Sequence, residues 1–251
     1  MRTGLVALVF ILLTGVGTAQ TPVDRERART HNRLGWEALR AEQYPQAIKS
    51  FQAAIEIRPD YEYAHYGLGR AFLASRRFAD AVIVLERCRE LYRGQGSRQF
   101  TNIQEAQRYR EDRVLEIDEQ IRLLRSGPQT VATQDLARQY ETAKRDLQEA
   151  IRRSQGLTID ATVPSWVSLS LGSAYFRSGR MGDAGREYRA AIDTDARLGE
   201  AHNNLAVVYF ETERFLEALN EINAAKKTGF KVNPELERAI RDRAKPVPPK
   251  P

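Results

Sequence analysis

The chain has 251 residues, 42% of them apolar, which is long enough for one large domain or a repeat array and apolar enough to build a core. Its single cysteine, Cys88, rules out a disulfide within the chain. The formal charge of +6 is concentrated at one end, where residues 226–251 carry eight basic and three acidic side chains. Aromatic residues are not interleaved with the basic ones of that tail as in a single-strand binder, so nucleic acid is not an expected partner.

Residues 1–19 read as a signal peptide. Arg2 precedes an apolar run over residues 5–13, and Gly17-Thr18-Ala19 offers small residues at both places a signal peptidase reads. The run is too short to span a bilayer, and no cysteine follows the expected cut. The mature protein is therefore expected to be exported, periplasmic or secreted, with no membrane span after cleavage and with residues 20–27 as a linker.

From residue 28 a 34-residue ruler applies. Leu34, Gly35, Tyr44, Ala47, Phe51 and Ala54 return in the same size class as Leu68, Gly69, Phe78, Ala81, Leu85 and Cys88; only Pro59, which becomes Arg93, does not. Within the first unit Leu34, Ala38 and Leu39 mark one helix, while Ala47, Phe51, Ala54 and Ile55 mark a second. Gly35 and Ala47 lack bulk where the two helices must approach, Phe51 fills the space beside them, and Pro59 stops the second helix. Arg93 makes the end of the second unit's helix less secure. The ruler resumes at Ser165 with Leu171, Gly172, Tyr175, Met181, Ala184, Tyr188 and Ala191, and again at Gly199 with Leu205, Ala206, Tyr209, Phe215, Ala218, Ile222 and Ala225.

This spacing resembles the tetratricopeptide repeat, a 34-residue helical hairpin. The resemblance implies an all-α, TPR-type α-α solenoid of about four hairpins, with repeats 1 and 2 over residues 28–95 and repeats 3 and 4 over 165–232. His31, His65 and His202 share one place in the ruler, usually aromatic in the family, so packing rather than catalysis or metal binding is expected of them.

Residues 96–164 interrupt the pattern. Val114, Ile117, Ile121 and Leu124 mark one long helix over about 99–125, and Leu136, Tyr140, Ala143, Leu147 and Ile151 mark another over about 133–155, with Ser126-Gly127-Pro128-Gln129 between them. This is an inserted long antiparallel hairpin. A helix of 27 residues would reach roughly 40 Å, so its far half is expected to project beyond the solenoid, with a solvated charged face or a partner-binding or self-association arm as its use. After Asn233-Pro234 a capping helix is expected over 233–244, followed by a Pro/Lys-rich disordered tail over 245–251.

In the family the first helix of each hairpin lines a concave surface. The resemblance places Arg29, Asn32 and Trp36, then Tyr63, Tyr66 and Arg70, then Trp166, Leu169 and Ser173, then Glu200, Asn203 and Val207 on that surface as a protein-binding groove. Tryptophan, tyrosine and arginine are the types that carry binding energy in interfaces. A clamp for a terminal carboxylate, built in some members from lysine, asparagine and arginine over consecutive repeats, is not reproduced: no lysine stands in the groove places, and the insertion separates the repeats in sequence. The sequence shows no phosphate-cradling loop, metal-ligand spacing or nucleophile–base pair. The expectation is a non-catalytic scaffold with no cofactor, no metal and one or more protein partners. A basic-tailed module on anionic cell wall or membrane surface is the alternative, and an enzyme a remote third.

Overall fold

The computed structural model describes residues 21–96, 98–128, 131–153, 157 and 162–244. The expected signal peptide and the Pro/Lys-rich tail lie outside the described residues. Among the described residues are eleven helices and no regular strand. The repeats are α1 (Pro22–Arg40) with α2 (Tyr44–Ile57), α3 (Glu62–Ala74) with α4 (Phe78–Gly96), α7 (Ser165–Arg177) with α8 (Met181–Thr194), and α9 (Gly199–Glu211) with α10 (Phe215–Lys227). The insertion forms α5 (Ile103–Arg125) and α6 (Val131–Arg152), and α11 (Pro234–Arg243) closes the chain.

α1 begins six residues before the repeat register, because Thr21 caps it by accepting from the Asp24 amide and Pro22 stands in its first turn. α2 ends at Ile57, two residues short of Pro59. α4 has no such stop and runs to Gly96, five residues longer than α2, which is the consequence of Arg93 standing where the first repeat has proline.

The turns inside the repeats are built alike. Glu42, Arg76, Gly179 and Glu213 stand at equivalent places with φ of 56°, 62°, 77° and 60°. The next amide closes each turn: Gln43 donates to the Ala38 carbonyl, Arg77 to Phe72, Arg180 to Tyr175 and Arg214 to Tyr209. In three of the four the arginine also lies over the aromatic ring it closes on, at 4.5 Å for Arg77 on Phe72, 4.4 Å for Arg180 on Tyr175 and 4.2 Å for Arg214 on Tyr209.

Close approach of the paired helices depends on glycine. A Cβ on Gly35 would stand 2.6 Å from the Phe51 ring and one on Gly67 2.2 Å from the same ring, so Phe51 is held between its own repeat and the next. Gly69 against Leu85 and Gly172 against Tyr188 repeat the arrangement.

The insertion leaves the solenoid continuous. α7 packs on α4: the Tyr175 hydroxyl donates to Glu86 and Arg177 lies 5.0 Å over the Phe78 ring, while Arg89 of α4 pairs with Glu187 of α8. Repeats 2 and 3, separated by the insertion in sequence, are therefore neighbours in space. At the other end α11 starts on Asn233, which accepts from the Glu235 amide at 2.8 Å, and buries Ile240 against α10.

Candidate partner-binding inner face

Positions 25, 29, 32, 36 and 40 fall on one stripe of α1, and both ends of that stripe are bonded to α5. Arg25 pairs with Asp112 at 2.9 Å, and the Arg40 guanidinium donates to the Leu123 carbonyl at 3.1 Å and to Ser126. α5 thus runs parallel to α1 along the inner face. The direction of the hairpin is the reverse of the sequence expectation: its tip lies in the groove, and the half nearest its base overhangs the edge of the repeats. The cause is the side chains of mid-α5. Arg113, Glu116, Ile117, Gln120 and Ile121 are all buried; the isoleucines gain by leaving water, and Arg113 and Glu116 meet opposite charges on the repeats.

The hairpin is latched by ions. Arg58, in the turn before α3, donates to the Glu116 carboxylate, and Arg113 donates both to Glu116 at 2.8 Å and to Glu62 at the start of α3. Glu62 and Glu116 are fully buried. Burial by itself would raise the Glu116 pKa, but the Arg58 and Arg113 guanidiniums more than offset it and hold the carboxyl below the usual range. Arg113 also stacks 4.9 Å over Tyr63, and Arg58 4.6 Å over Tyr61.

α6 completes the cover through Tyr140, which lies 6.1 Å from Tyr63 and 5.7 Å from Trp166. Trp166 in turn meets Tyr66 at 4.3 Å and Tyr92 at 5.7 Å, and Trp36 meets Tyr66 at 5.9 Å. Gln139 donates to Asp195 at 2.7 Å, tying α6 to the turn before α9.

The twelve residues expected on the groove divide accordingly. Asn32, Tyr63, Tyr66 and Trp166 are buried, and Arg29 and Trp36 half-buried, in the region of the inner face that the hairpin crosses. Arg70 is exposed, while Leu169, Ser173, Glu200, Asn203 and Val207 are half-buried on the later part of that face. Sequence reasoning did not single out Arg58, Glu62, Arg113, Glu116 or Tyr140 as a set. The available signal was the placing of Arg113, Glu116 and Gln120 among the apolar residues of α5.

Two of the three histidines bond to the turns before their helices. His65 Nε2 donates to the Pro59 carbonyl at 3.0 Å, and His202 Nε2 stands 3.3 Å from the Ala196 carbonyl at the equivalent place, so each ring ties its helix to the preceding turn. Burial lowers the His65 pKa below its ordinary value. Cys88 is fully buried beneath the Glu62 carbonyl, and burial pushes its thiol pKa up. Among the described residues no group of three histidine, cysteine or acidic side chains is placed to hold a metal, and no helix is long and apolar enough to cross a membrane.

A family model for the tetratricopeptide repeat matches residues 32–95 and 169–229, the two pairs of repeats on either side of the insertion. The chain is a tetratricopeptide-repeat protein. Proteins of this family are generally non-catalytic scaffolds that bind other proteins. A TPR repeat-containing protein of Picosynechococcus sp. (strain ATCC 27264 / PCC 7002 / PR-6) is 32% identical over 84 residues, which is 34% of this chain and 22% of that one, so the match spans about a fifth of the relative's length. Two solved structures are similar in fold. TTC0263, a thermophilic TPR protein in Thermus thermophilus, matches 86% of this chain and 98% of its own at 18% identity and a TM-score of 0.35. YrrB, described as a TPR protein with an unusual peptide-binding site, matches 90% and 98% at 14% identity and 0.30. Overlaps this loose bear neither on the hairpin nor on the inner face.

Proposed function

We propose that this TPR protein is a non-catalytic scaffold, exported across the cytoplasmic membrane, that holds an extended or helical segment of an envelope protein on the uncovered part of its inner face. The observation that carries the reading is the exposed Arg70 side chain, close enough to Glu200 to feel its charge, on a face that also carries the half-buried Ser173, Asn203 and Val207. Arg70 is held in place by its bond to the Tyr66 hydroxyl at 2.9 Å, so a rigid charged donor borders a shallow polar strip, a combination suited to a peptide backbone and its side chains. The repeats supply the rigidity and the chain contributes no reaction of its own.

The test is affinity capture from the envelope fraction with the full chain against Arg70→Ala plus Asn203→Ala. Loss of a specific partner, with helicity unchanged, is the expected result; an identical catch removes the reading. Export is tested separately, by fractionation and by sequencing the mature N-terminus, which is expected at Gln20.

A further inference from the structure

The seam between α5 and α1 is bonded at both ends, by Arg25 and Arg40, and leaves polar atoms unpaired between them. Asn32 is fully buried on the inner stripe of α1, and neither its Oδ1 nor its Nδ2 has a hydrogen-bond partner. Trp36 Nε1 on the same stripe and Gln120 Nε2 on α5 are buried and unpartnered as well. Buried amides and indoles normally find partners, because leaving them unpaired forfeits their hydration without return. An occupant that leaves Asn32 unsatisfied fits this face less well than a partner that bonds it.

We propose that the tip half of the α5–α6 hairpin is a displaceable occupant, and that the face beneath it is a second partner site for a helix bearing an arginine and a glutamate three positions apart. The charges left behind by the hairpin dictate this chemistry. With the hairpin gone Arg58 would keep only the exposed Asp60 at 3.4 Å, through its Nε, and Glu62 would keep no guanidinium; both are buried, so a replacement must bring a carboxylate and a guanidinium. Residues at i and i+3 share one face of a helix, as Arg113 and Glu116 do on α5. The space beside Tyr63 and Trp166, filled by Tyr140, takes an aromatic side chain, and Asn32 offers a donor and an acceptor to a polar one. The proposal rests on the inner face being a partner-binding surface, but it involves neither Arg70 nor Asn203, so the two tests fail independently.

A labelled peptide with the sequence of residues 103–125 serves as the probe, added to the full chain and read by anisotropy. Wild type is expected to bind it weakly, since the tethered hairpin competes at high effective concentration. Arg113→Ala plus Glu116→Ala in the chain weakens the tether's own docking, and the peptide is expected to bind at least about tenfold tighter. That gain should vanish when Arg58→Ala is added, or when the peptide carries the same two alanines. Equal binding by wild type and the double variant overturns the proposal, as does a gain that survives the alanines in the peptide. If the double variant does not fold, native-state hydrogen exchange of wild type decides: amides of α5 and α6 opening well before those of α3 and α7 support displacement, and equal protection overturns it.

Discussion

Arg58 and Glu116 stand 58 positions apart in the chain and meet as a buried ion pair between the α2–α3 turn and the middle of α5. Through that pair a segment inserted between repeats 2 and 3 is anchored to the junction of repeats 1 and 2. Glu116 also accepts from Arg113 at 2.8 Å, which leans on Glu62 as well, so one carboxylate joins both guanidiniums.

Removing the carboxylate should therefore be costly. Glu116→Ala leaves the buried Arg58 with only the exposed Asp60 at 3.4 Å and Arg113 with only Glu62, and is expected to destabilise by about 3 kcal/mol, the low end for breaking a buried pair, measured by urea unfolding. Replacing Arg58, Arg113, Glu62 and Glu116 together with apolar residues of similar volume should recover most of the loss.

The same pair sets an acid limit. A carboxyl with a folded pKa below its unfolded value lends stability that is complete above the unfolded value, near 4.5, and is lost as pH falls through the folded one. Thermal unfolding of wild type below pH 4.5 should show this decline, and Glu116→Gln should flatten it.

His65 acts at higher pH. Its folded pKa is lowered, so the folded protein favours the neutral ring; its contribution is complete above the unfolded value of about 6.5 and declines as pH falls towards the folded one. An NMR titration of the ring should place the midpoint below 6.5, and a midpoint above it would contradict the structure.

Backbone geometry predicts opposite effects at two equivalent turns. Gly179→Ala places a Cβ at φ 77° and should cost about 1–2 kcal/mol. Glu213→Gly relieves the same conformation at φ 60° and should be neutral or slightly stabilising. Calorimetry on both variants checks the pair.

Gly67→Ala tests the packing around Phe51. The new methyl would stand 2.2 Å from the ring, which Gly35 confines from the other side. A loss of about 1–3 kcal/mol is expected, with the far-UV spectrum unchanged.

The sequence by itself determined the repeats, because a helical hairpin is a local structure: the spacing of Gly35, Ala47 and Phe51, and its return at Gly69, Ala81 and Leu85, encodes how two nearby helices pack. The place of the histidines and the length of the inserted helices were legible for the same reason. Only the tertiary structure decided where the insertion goes. Arg113 and Glu116 look like a solvated face in sequence, since a charged side chain is soluble until a partner is found, and their partners Glu62 and Arg58 lie at the junction of repeats 1 and 2, more than fifty residues away. Long-range charge pairing leaves no period in the chain, so the covered and uncovered parts of the inner face were fixed by docking, not by pattern.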